Sequence, residues 1–153
     1  MSRADKAKEL FIQGYACSQA VALAFCDILK VSEQEIAKLT LPFGGGLGRL
    51  RLTCGAVSGM AVVIGLLFAG DEVSPENKKN VYAITQTLCE KFKAENGSLI
   101  CADLLSGANL QPSIGGEAEK RSAEYYKKRP CAEIVYSAAN IVEEYLKEKG
   151  LIS

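Results

Sequence analysis

Between Arg51 and Asp71 the chain runs nineteen residues, Leu52 to Gly70, without a charged side chain. Such a stretch must leave water, and its length reaches the lower limit for crossing a bilayer. Its content argues against that outcome. Thr53, Cys54, Gly55, Ser58, Gly59 and Gly65 interrupt it, so its mean apolarity is modest. The expectation is a buried helix from Cys54 to Ala69 with other helices packed around it, and membrane association is disfavoured. Gly55 and Gly59 lie four apart and share a face, where another backbone can approach closely.

The rest of the chain reads as helix. Ala7, Leu10, Phe11 and Gly14 follow the helical period and end at a glycine. A second helix is expected from about Cys17 to Lys30, which puts Cys26 mid-helix. Ser32 with Glu35 reads as a capping box for a third, which must stop before Pro42. Ser74-Pro75 opens a long helix with Val81, Ile84, Leu88 and Phe92 on one face, closed by Asn96-Gly97. Ser98 caps a short segment holding Cys101, and Ser106 to Gly116 is a loop. Glu117 to Lys128 reads as a charged, exposed helix or helical turn. Pro130 opens the last helix, with Ile134, Ala138, Ile141, Val142 and Tyr145 inward. No segment alternates as a strand does. The expected fold is all-α: a single-domain helical bundle over residues 1–153, built around a buried, apolar, glycine-containing central helix.

Composition removes several function classes. The 18 basic and 18 acidic side chains cancel, so no electrostatic case exists for nucleic acid as a partner. There is no histidine, which excludes Ser-His-Asp and Cys-His catalysis and imidazole zinc sites. Six cysteines remain, and Met1 to Lys6 opens no apolar signal-peptide run. The reading is a cytoplasmic chain with reduced thiols.

Four of the cysteines, Cys17, Cys54, Cys101 and Cys131, fall at expected helix starts. The unpaired N–H groups and positive dipole end there favour thiolate, so a lowered pKa is expected for each. Cys26 and Cys89 fall within helices and read as structural. No two cysteines share a C-x-x-C window, which argues against a thioredoxin motif, a zinc knuckle or the bacterial ferredoxin run. Gly44, Gly45, Gly46 and Gly48 form a tight loop leading to Arg49 and Arg51. Such a loop can hold an anion with the arginines assisting, or can simply let the chain pass close to the central helix. It is neither a P-loop nor a dinucleotide fingerprint.

Gly14-Tyr15-Ala16-Cys17-Ser18-Gln19-Ala20, Phe43-Gly44-Gly45-Gly46-Leu47-Gly48, Cys54-Gly55-Ala56-Val57-Ser58-Gly59, Cys101 and Cys131 together resemble the C_GCAxxG_C_C family, described as redox-active. The resemblance runs from residue 14 to about residue 146. The family name suggests Gly-Cys before Ala-x-x-Gly, whereas this chain reads Cys54-Gly55-Ala56-Val57-Ser58-Gly59. The family's four cysteines fall on Cys17, Cys54, Cys101 and Cys131. The resemblance implies a redox site on these residues. Three readings stay open: thiol–disulfide or electron-transfer chemistry, as in a thiol-based oxidoreductase; a site of four cysteine thiolates for zinc or an iron–sulfur cluster; and a non-enzymatic binding module for a small anion or a protein. The electron or thiol partner is unnamed, and self-association is left open.

Overall fold

A computed structural model describes residues 1–153. It contains eight α-helices and no strand: α1 (Arg3–Ile12), α2 (Cys17–Leu23), α3 (Glu33–Thr40), α4 (Gly55–Phe68), α5 (Pro75–Asn96), α6 (Cys101–Gly107), α7 (Ala123–Lys128) and α8 (Cys131–Glu148). The fold is all-α, as the periodicity predicts, and no helix is long and apolar enough to cross a membrane.

Helix ends follow the local chemistry. Ser2, Ser32, Ser74 and Ser122 each accept a backbone N–H at the start of α1, α3, α5 and α7. At Ser32 only this half of the expected capping box forms, with Ser32 Oγ accepting from the Glu35 N–H. Two expectations need correction. The second helix ends at Leu23 rather than near Lys30, because Phe25 N–H bonds to Ala22 and Cys26 N–H to Leu23, the tighter i−3 pattern. Cys26 therefore lies in a turn. The Glu117–Lys128 segment is helical only from Ala123.

α1 packs along α8 and α2 along α4, while α8 also touches α2, α4 and α5. One continuous apolar cluster of 27 buried residues links these helices, with Phe11, Phe25, Met60, Phe92 and Leu146 among its largest members. Buried Glu143 ties α8 to α1 by accepting the Arg3 N–H at 2.7 Å. The central helix is less enclosed than expected. Gly55 to Met60, Val63 and Ile64 form its packed side, Ser58 being only half-buried, and Leu66 is exposed.

Two glycines set how closely α2 meets α4. A Cβ on Gly59 would lie 2.8 Å from the Ser18 carbonyl oxygen and 3.0 Å from Val21 Cβ. A Cβ on Gly55 would lie 2.3 Å from Cys17 Sγ and 2.8 Å from the Phe43 oxygen. α2 is fixed sideways by Ser18, whose hydroxyl donates to the Thr40 carbonyl at 2.7 Å.

These contacts predict opposite signs for one substitution at two sites. Gly59→Ala should destabilise the protein by about 1–3 kcal/mol, since backbone must move. Gly65→Ala on the same helix meets nothing within 4 Å. It should stabilise by about 0.5–1 kcal/mol. Urea midpoints of the two variants check both signs.

Candidate functional site

The segment after the glycines is built on inverted backbone. Gly45, Gly46, Leu47, Gly48 and Arg49 all have φ between 56° and 74°, and Arg51 follows at 60°. This is a left-handed turn, disfavoured by about 1–2 kcal/mol at each residue with a Cβ. Gly46 cannot be replaced without displacement, as its Cβ would lie 2.7 Å from Cys101 Cβ and 2.7 Å from the Leu52 nitrogen. The turn is closed by Arg51 N–H to Gly45 and Leu52 N–H to Gly46.

Past the turn, residues 51–54 run beside 99–102. Cys54 N–H bonds to Leu99 O, Cys101 N–H to Leu52 O and Ala102 N–H to Arg51 O, around a single bridge between Thr53 and Ile100. This pairing sets the starts of α4 and α6 side by side. Cys54 is the residue before α4, while Cys17, Cys101 and Cys131 are the first residues of α2, α6 and α8.

All four line one cavity of about 320 Å³. Cys26 and Cys89 do not; Cys26 sits apart between Lys6 and Glu33. Gly44, Gly45, Gly48, Arg49 and Arg51 also line the cavity, whereas Gly46 is buried behind it against Cys101. Phe11, Leu104, Leu105 and Ile134 supply apolar wall. All six cysteines are free thiols. No three Cys, Asp or Glu side chains come close enough to hold a metal ion, so the geometry offers no support for the alternative of zinc held by four thiolates.

The expectation of lowered thiol pKa values is overturned for Cys17, Cys54 and Cys131. Burial pushes the Cys17 thiol up, although the Gly45 and Ser18 N–H groups act in the opposite direction. Cys54 is pushed well above the ordinary thiol value by burial and then by charge on Cys17, against the Ala56 and Val57 N–H groups. Cys131 is pushed up to about 12, by burial and then by Cys17, with Arg129 and Arg121 opposing. The helix-start N–H groups do favour thiolate, but loss of water from an enclosed site is the larger effect.

Sequence reasoning missed half of the cavity's cations. Arg121 and Arg129 join Arg49 and Arg51 on the wall, with Glu119 as the only carboxylate there. Arg121 donates to the Phe11 carbonyl at 2.7 Å and lies 4.2 Å over the Phe11 ring. Arg129 pairs with Glu119 and lies over the Tyr125 ring. Arg49 donates to Gly115 O and Ser113 Oγ, and Arg51 to Ser113 O at 3.0 Å, which straps the 109–122 loop across the site. Arg51 also points Nη1 at Cys101 Sγ, 3.8 Å away. Nothing in the charge-rich run Glu117 to Arg129 marks Arg121 and Arg129 apart from their exposed neighbours; a ring stacked against each is a tertiary fact.

A family model described as "Putative redox-active protein (C_GCAxxG_C_C)" matches residues 15–145. No curated protein and no solved structure matches the chain.

The raised thiols give the fold a pH dependence. The folded protein keeps Cys131 protonated to higher pH than the unfolded chain does. The resulting stability is full below the ordinary thiol value of 9.0 and is lost as pH rises toward about 12. Between about pH 7 and about pH 10, Cys131→Ala should lose about 1 kcal/mol less than the parent in urea unfolding. An equal loss would mean the thiol ionises normally.

Proposed function

The chain belongs to the C_GCAxxG_C_C family, and we propose that it is a cytoplasmic thiol oxidoreductase whose working groups are Cys17, Cys54, Cys101 and Cys131. The observation that carries this reading is the selection made by the cavity, which four of six cysteines line and the other two do not.

The chemistry is a dithiol–disulfide cycle. The first attack is assigned to the sulfur that a cationic N–H donor faces, since a positive neighbour stabilises the attacking thiolate. That is Cys101, the one cavity cysteine toward which a guanidinium N–H is directed. Cys101 forms a mixed disulfide with the oxidant. A second cavity thiol then attacks the Cys101 sulfur, closes a protein disulfide and releases the reduced product. Cys17, whose sulfur packs against Gly55 beside the glycine turn that carries Arg51, is assigned as the second thiol. Burial keeps Cys17, Cys54 and Cys131 protonated until an oxidant has engaged Cys101.

The test is a redox titration read by mass spectrometry of alkylated thiols. The parent should show a two-electron couple. Cys54→Ser should shift its midpoint or remove part of the amplitude, and Cys101→Ser should slow oxidation about tenfold or more. Cys26→Ser should change neither. A Cys54→Ser protein indistinguishable from the parent would sink the site assignment.

A further inference from the structure

Arg51 is only 5% exposed, yet its guanidinium has no carboxylate partner. Its contacts are a carbonyl oxygen and a thiol. Arg49 and Arg121 likewise meet only carbonyls, a hydroxyl and rings. Of the four guanidiniums on the cavity wall, Arg129 alone is paired with a carboxylate, that of Glu119. Three positive charges therefore face one cavity uncompensated. Arg51 is the buried one, while Arg49 and Arg121 are half-buried; a buried charge without a counter-ion is unfavourable unless something supplies the opposite sign. Cys17, Cys54 and Cys131 do not supply it, since burial favours their neutral form.

We propose that the cavity is built for an anionic substrate, and that the substrate is a small organic disulfide carrying carboxylate or a similar negative group. This rests on the thiol oxidoreductase reading and names its substrate class. Arg49, Arg51 and Arg121 bind the charged end, while Phe11, Leu104 and Ile134 cover the carbon chain. The size of the cavity, about 320 Å³, suits a short molecule lying partly within it. A disulfide is the oxidant that needs no further reactant. Cys101 sulfur bonds to one substrate sulfur, the substrate S–S bond breaks, and the departing sulfur leaves as a thiol with the proton that Cys101 gave up. The second protein thiol bonds to Cys101, the mixed disulfide breaks, and its proton leaves on the second product thiol. Two protein thiols and one substrate disulfide become one protein disulfide and two product thiols. Arg51, beside Cys101, serves both the binding of the anion and the first attack.

The experiment compares three short disulfides that differ in charge: 3,3′-dithiodipropionate, bis(2-hydroxyethyl) disulfide and cystamine. Each oxidation rate of the reduced protein is divided by that of a neutral reference thiol, N-acetylcysteinamide. Suberate, the all-carbon counterpart of the dianion, is added as a competitor that cannot be reduced. The expected order is dianion above neutral above dication. The extremes should differ about tenfold or more, with loss of the difference at high salt. Suberate should slow the dianion's reaction and raise the melting temperature. Arg51→Gln and Arg121→Gln should each compress the charge series. Equal normalised rates, or cystamine fastest, would overturn the substrate class while leaving thiol chemistry standing. Native protein inert to all three, with thiols that react once unfolded, would overturn the oxidoreductase reading itself.

Discussion

The close approach of α2 to α4 at Gly55 and Gly59 is the contact on which the rest of the site depends. Cys17 Sγ occupies the space that a side chain on Gly55 would need, and the Phe43 carbonyl and Gly44 crowd the same point. One missing methyl group thus lets three separate segments meet: the start of α2, the glycine turn and the start of α4. The 51–54 and 99–102 pairing adds the start of α6, and α8, packed along α1, brings Cys131. Four helix starts converge because their backbones are allowed to touch, without any short-range cysteine motif.

That convergence has an electrostatic consequence. Helix starts supply N–H groups that favour negative charge, and the arginines supply more. Yet burial raises Cys17, Cys54 and Cys131, because the neutral form needs no water. The two tendencies leave three neutral sulfurs in a cavity whose arginines lack carboxylate partners, Arg129 excepted. The folded state gives up some stability at Arg51, where a neutral side chain of similar shape would meet no desolvation penalty. Such a charge is held in place by the surrounding fold, through Ser113 on the strapping loop. Structure that is unfavourable locally and well supported around it belongs at sites of function.

Much of the fold is legible in the sequence because it follows local rules. Ser32, Ser74 and the Asn96-Gly97 end mark helix limits through backbone hydrogen bonding, and inward faces such as Ile134, Ala138 and Ile141 follow period. Helix-start positions also single out the four cavity cysteines. What fails depends on partners distant in sequence. The end of α2 at Leu23 involves a shift to i−3 bonding that propensity does not announce. The direction of the thiol shifts depends on how much water the assembled cavity excludes. Arg121 sits on the cavity because Phe11, 110 residues earlier, offers its carbonyl and ring.

The left-handed turn couples the cationic wall to the thiols. Leu47, Arg49 and Arg51 hold positive φ against their own Cβ atoms, and a chain free of tertiary contacts would relax. The turn persists because its edges are bonded elsewhere: Arg49 O accepts from Gly115, Arg51 O from Ala102 and Leu52 O from Cys101. These bonds exist only when α6 and the 109–122 loop are in place. The cationic wall and the start of α6 therefore assemble together. The same strained residues that carry Arg49 and Arg51 into the cavity hold the Cys101 backbone beside them. A change that released the turn would withdraw the arginines and displace Cys101 in one step, so the charge that recruits an anion and the sulfur that meets it are coupled by the backbone itself.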